Sequence, residues 1–103
     1  MSKRLEMLEK LARGGSADSF ALYALAMEYR KEGRASDALA TFESLRARDP
    51  EYLPMYLMAG QLLTDEERIA EARGWLEAGI ELATRKGDMK AKSELSAALE
   101  ACD

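Results

Sequence analysis

Apolar positions recur along this chain at three- and four-residue intervals, and no window alternates with a period of two over more than a few residues. The pattern predicts helices and no strands. Leu5, Leu8, Leu11 and Ala12 form one stripe, which the Gly14–Gly15 pair closes. Ser16 or Asp18 caps the next helix, which runs to about Glu32, where Gly33 supplies a left-handed stop. Ser36 is the expected cap of a third helix, which closes before Asp49–Pro50. Pro54 falls in the first turn of a fourth helix, where its missing N–H costs little. Thr64–Arg68 makes the next corner, a fifth helix spans about Ile69 to Thr84, and Gly87–Asp88 opens a sixth.

These stripes repeat. Residues 19–52 and 53–86 carry the same order of large and small side chains 34 positions apart. Leu22, Leu25, Ala26, Tyr29, Ala38, Phe42 and Pro50 in the first block correspond to Tyr56, Ala59, Gly60, Leu63, Ala72, Leu76 and Thr84 in the second. Four residues are identical between the blocks: Glu32/Glu66, Arg34/Arg68, Ala38/Ala72 and Glu43/Glu77. Size recurs more than identity, as a shared packing geometry requires. Ala26 with Ala38, and Gly60 with Ala72, let paired antiparallel helices approach closely, while the larger residues fill the space beside them. A period of this length means stacked helix pairs, and such stacks generally work by presenting a surface.

That order of residues resembles the hallmark of the tetratricopeptide repeat family, in particular its small bacterial-type domain proteins. The first block meets it throughout, with Gly33 on the usual turn; the second has Glu67 in place of that glycine and Thr84 in place of the closing proline. The resemblance implies an all-α superhelix of antiparallel helix pairs, about six helices forming a single domain over 1–103. Residues 1–15 make an N-terminal flanking helix that looks like the second half of a truncated repeat. Residues 19–52 and 53–86 make the two repeats, and 87–103 a C-terminal capping helix.

In that family the first helix of each pair lines a concave groove. Carried over by register, the groove residues are Phe20, Tyr23, Met27 and Arg30, then Pro54, Leu57, Met58 and Gln61, with Lys92 and Leu95 added by the last helix. The family's carboxylate clamp is absent, because its basic and amide positions hold Tyr23, Met27, Met58 and Asp88, leaving Lys92 as the one match. An apolar groove rich in aromatic and methionine side chains suits an apolar peptide or an amphipathic helix of a partner protein. The expected function is therefore that of an adaptor. A homo-oligomerising structural protein, with a homodimer as its simplest form, and a dedicated chaperone or regulatory subunit are the alternatives. Trp75 is expected to pack against the terminal cap.

Composition narrows the chemistry. Fifteen basic and 19 acidic residues give a net charge of −4 with no basic run, which disfavours nucleic acid as a partner. Histidine is absent, so metal binding and acid–base catalysis lose their commonest side chain, and neither cofactor, metal site nor catalytic residue is expected. Cys102, the one cysteine, is expected to be a free thiol at a frayed end. With no continuous apolar run to suggest a leader or a membrane partner, a cytoplasmic location is the expectation.

Overall fold

The computed structural model describes residues 2–102, and Met1 and Asp103, the outermost positions of the expected domain, lie outside them. Among the described residues all regular structure is helical: α1 Lys3–Arg13, α2 Ser19–Lys31, α3 Ala35–Arg48, α4 Pro54–Asp65, α5 Ile69–Lys86 and α6 Met89–Ala101. The helices group into two compact units, 1–52 and 53–103.

In the N-terminal unit, α2 packs on both α1 and α3. Ser2 starts α1 by accepting a 2.9 Å hydrogen bond from the Leu5 N–H. Leu5 and Leu8 then bury themselves against Ala24 and Leu25 of α2, with Ala12, Ala21 and Tyr29 around the edge. On the α3 side Ala26, Ala38, Phe42 and Leu45 are wholly buried. Ala26 and Ala38 are the small residues expected at the helix crossing, and burial of Phe42 and Leu45 supplies about 2 kcal/mol apiece.

The corners of the two repeats share one backbone design. After α2, the Arg34 N–H reaches Tyr29 O at 2.8 Å and the Gly33 N–H reaches Arg30 O at 3.1 Å. After α4, the Arg68 N–H reaches Leu63 O at 2.8 Å and the Glu67 N–H reaches Thr64 O at 3.0 Å. Each pair satisfies carbonyls that the helix end leaves open, and it does so by placing one residue in the left-handed region. That residue is Gly33 at φ 76° in the first corner and Glu67 at φ 60° in the second. Arg34 and Arg68 enter the next helix with almost identical dihedrals, φ/ψ of −96°/69° and −97°/67°. Both arginines then pair three residues ahead, Arg34 Nε with Asp37 Oδ2 at 2.9 Å and Arg68 Nη2 with Glu71 Oε2 at 2.7 Å.

This design corrects the expected cap of α3. The helix starts at Ala35 with Arg34 at the cap position and no side-chain cap bond, so Ser36 lies inside the first turn. The corner is built by the turn closing α2, and the first-turn carboxylate of Asp37 takes the arginine.

In the C-terminal unit α4, α5 and α6 all pack on one another. Pro54 opens α4 at its first turn, as its fixed φ and absent N–H favour. A Cβ built on Gly60 would lie 2.6 Å from Leu76 Cγ, so the glycine is what lets α4 and α5 meet this closely. Gly79 is the second such contact: a Cβ there would lie 2.7 Å from Tyr56 Cβ and 2.9 Å from Leu95 Cδ2. The rings of Trp75 and Tyr56 of α4 meet at a tilt of 51° with their centroids 5.8 Å apart.

Three helix ends and two side chains depart from expectation. Helix α4 continues through Thr64 to Asp65, because the Thr64 hydroxyl turns back to Gly60 O at 2.8 Å instead of opening a corner. Helix α5 runs two residues past Thr84 and ends at Gly87 in the left-handed region; Asp88 then caps α6 by accepting from the Ala91 N–H. Helix α2 stops at Lys31, one residue earlier than read. Leu95, assigned by register to the groove, is 2% exposed and packed on Gly79, so it belongs to the core. Cys102 is likewise buried, its sulfur 3.2 Å from the Thr64 hydroxyl, because the apolar side of α6 carries it inward.

Candidate functional site

Asp18 fixes the start of α2 by accepting a 2.8 Å hydrogen bond from the Ala21 N–H. With the start fixed, Phe20, Tyr23, Met27 and Arg30 follow at spacings of three and four and share one face of the helix. Another side of α2 is occupied by α1 over Ala21, Ala24 and Leu25, while α3 reaches the edge of the Phe20 face through the contact of Tyr23 with Phe42. Phe20 stands 66% exposed, whereas Tyr23, Met27 and Arg30 are half-buried.

Tyr23 is the least free of these. Its ring lies 6.4 Å from that of Phe42 and 5.5 Å from that of Tyr52, so it is a shared wall of core and surface. Burial above all, and then the neighbouring Tyr52, push its phenol above the ordinary tyrosine value, while Arg30 pulls the other way. Sequence reasoning passed over Tyr52; its position two residues beyond Pro50, at the end of the repeat, was the available signal. Its phenol is also raised, by burial first and then by Asp18 and Asp49. Ser19 donates to Asp49 Oδ2 at 2.6 Å, which ties the start of α2 to the end of α3 beside these rings.

At the other end of α2, Tyr29 donates to Glu9 Oε2 at 2.6 Å, and the Arg34 guanidinium lies 4.7 Å from its ring centroid. Arg34 also approaches Glu9 at 3.8 Å, and Arg4 of α1 meets Glu28 of α2 at 3.1 Å. Burial, followed by the bond to Glu9, pushes the Tyr29 phenol up to about 12. These contacts hold α1 against the back of α2 and leave the Phe20 side open.

Within the C-terminal unit, Leu57, Met58 and Gln61 on α4 are half-buried, and Pro54 is exposed. Lys92 is half-buried on α6. The structure thus groups Phe20, Tyr23, Met27 and Arg30 on α2, Leu57, Met58 and Gln61 on α4, and sets Lys92 on a further helix. Among the described residues no three His, Cys, Asp or Glu side chains cluster as a metal site would require, and no helix is long and apolar enough to cross a membrane.

The family model for the tetratricopeptide repeat matches residues 29–92. A solution structure of a tetratricopeptide repeat domain protein from Salinibacter ruber is 40% identical, with a TM-score of 0.78 over 82% of this chain and 86% of that one. A crystal structure of the tetratricopeptide repeat domain protein from the same organism is 40% identical, with a TM-score of 0.77 over 82% of this chain and 96% of that one. A protein from Bordetella parapertussis, 24% identical, has the same fold, with a TM-score of 0.84 over 99% of this chain and 89% of that one. No curated protein matches the sequence.

Proposed function

The chain belongs to the tetratricopeptide repeat family, whose domains generally mediate protein–protein interaction, and on that premise we propose that it is an adaptor. Its partner is an apolar peptide or amphipathic helix of another protein, taken up in a concave groove lined by the first helix of each repeat. The observation that carries this reading is the α2 strip, where a 66% exposed Phe20 shares a face with Tyr23 and Met27. Aromatic and methionine side chains supply large contact area and adapt to a partner's shape, which makes them the usual anchors of such surfaces. Leu57 and Met58 offer an apolar contact of their own on α4, with Gln61 beside them. Arg30 and Lys92 meet acidic residues at the partner's edges. The role is that of a scaffold without catalysis or cofactor, and the free Cys102 thiol accords with a reducing cytoplasm.

Affinity capture from the organism's own extract tests the proposal, with wild type set against Phe20→Glu and against Phe20→Glu combined with Met58→Glu. Phe20 is the sharper probe than Tyr23, because a charge at Tyr23 would also break the packing on Phe42 and Tyr52. Loss of a captured partner with unchanged helical circular dichroism supports the reading. Undiminished capture by the double variant overturns it.

A further inference from the structure

Helix α1 bears the register of a second repeat helix, and the face by which such helices pair is uncovered on it. One period separates Met7, Leu8 and Leu11 from Thr41, Phe42 and Leu45, and a second from Trp75, Leu76 and Gly79. On α5 those three positions meet α4: Trp75 packs at a tilt against Tyr56, Leu76 fills the space at Gly60, and Gly79 abuts Tyr56. On α3, Phe42 and Leu45 are wholly buried. On α1, Leu8 is buried toward α2, but Met7 is 55% and Leu11 38% exposed. Two of the three positions, Met7 and Leu11, therefore lie open here, on either side of the buried Leu8.

The charges around that strip select its occupant. Lys3 and Lys10 line up with Met7 at helical spacing, both exposed and neither with an ion-pair partner among the described residues. Helix α1 carries four cations, Lys3, Arg4, Lys10 and Arg13, of which Arg4 is paired with Glu28, against the carboxylates Glu6 and Glu9. Glu9 is already engaged by Tyr29 and Arg34. This positive edge sits on a chain whose net charge is −4. A second copy would set the same lysines against themselves, whereas a helix with acidic borders would meet them with opposite charge.

We propose that the outer face of α1 docks an amphipathic helix of another protein whose apolar stripe is bordered by Asp or Glu. This surface belongs to a different helix from the residues of the proposed groove.

Solution NMR of the isotope-labelled protein tests it with two synthetic helix-forming peptides of about four turns. Both carry a leucine stripe; one has glutamate borders and the other lysine borders. The glutamate peptide should shift the amides of residues 3–13 and bind roughly tenfold more tightly than the lysine peptide. Lys3→Glu combined with Lys10→Glu should reverse that preference. Met7→Asp, at a position exposed enough to leave the melting curve unchanged, should abolish the α1 shifts. Absence of shifts in α1, or equal affinity for the two peptides, overturns the proposal. So does a sedimenting dimer that Met7→Asp dissolves, because the occupant would then be a second copy. Shifts confined to α2 and α4 would overturn this inference while supporting the groove reading; no binding anywhere would count against both.

Discussion

The α2–α3 and α4–α5 hairpins turn the same corner with different residues, and the way they differ separates what the fold requires from what the sequence supplies. Both corners need one left-handed residue. The first supplies Gly33, the second Glu67, and the following arginines superimpose in dihedral to within a few degrees. The geometry is thus imposed by the packing of the pair and by the turn's own hydrogen bonds, since a non-glycine residue accepts a strain of about 1 kcal/mol to adopt it. Elsewhere the hairpins reach the same end differently. Tyr29 is held by a hydrogen bond to α1, whereas its counterpart Leu63 is simply buried. Leu45 fills its site with bulk, whereas Gly79 leaves room for Tyr56 and Leu95. The last contrast follows from topology: within its unit α3 packs on α2, while α5 packs on both α4 and α6.

The largest effect should come from that contrast. Gly79→Ala puts a methyl group against Tyr56 Cβ, which lies too near the backbone to move away cheaply. The expected net loss is about 2 kcal/mol, overpacking outweighing the gain in helix propensity. Urea denaturation reads it, and a neutral or stabilising change would break the claim that α5 is tightly wedged.

Tyr29→Phe should cost about 1 kcal/mol at neutral pH, because it leaves Glu9 without its partly buried donor. The cost should vanish in alkali. The folded phenol holds its proton up to about 12, while the unfolded one releases it near its ordinary value of about 10. The stability that the neutral phenol contributes, through its burial first and then through the bond to Glu9, is complete below the lower value and is lost as pH rises toward the higher one. Denaturation midpoints of wild type and variant should therefore close and then cross between those limits, because a rise from about 10 to about 12 outweighs the bond itself. A constant gap would remove Tyr29 from the account.

Exchange of the corner residues should give the smallest effects, of opposite sign. Gly33→Glu should destabilise by about 1 kcal/mol, and Glu67→Gly should stabilise by about 0.5 kcal/mol once the glycine's greater unfolded-state entropy is set against the relieved strain. Thermal melts of the two variants would sharpen the comparison; equal signs would break it.

The sequence made the helices legible because period and punctuation agree: a stripe, a left-handed residue, an arginine, a new stripe. Ser36 misled because a serine beside a helix start is a good cap in isolation, yet the closing turn of α2 had already set the entry. Gly79 escaped notice because its counterpart is Leu45, so the repeat carried no signal there. The Tyr29–Glu9 bond joins a repeat position to the flanking helix, beyond the reach of the 34-residue period. At the candidate site, spacing alone put Tyr23, Met27 and Arg30 on one face, and the family register added Phe20. Their exposure depends on which neighbours cover α2, and only the structure ranks Phe20 above Tyr23. Leu95 had the right register and the wrong surroundings, since α6 turns it onto Gly79.

The central claim is that the first helices of the repeats are what a partner touches. Hydrogen exchange on the captured complex tests it most directly, followed helix by helix with and without the partner. The account predicts added protection in residues 19–31 and 54–65, reduced in Phe20→Glu. Protection confined to α3 and α5, with α2 and α4 unchanged, would contradict it.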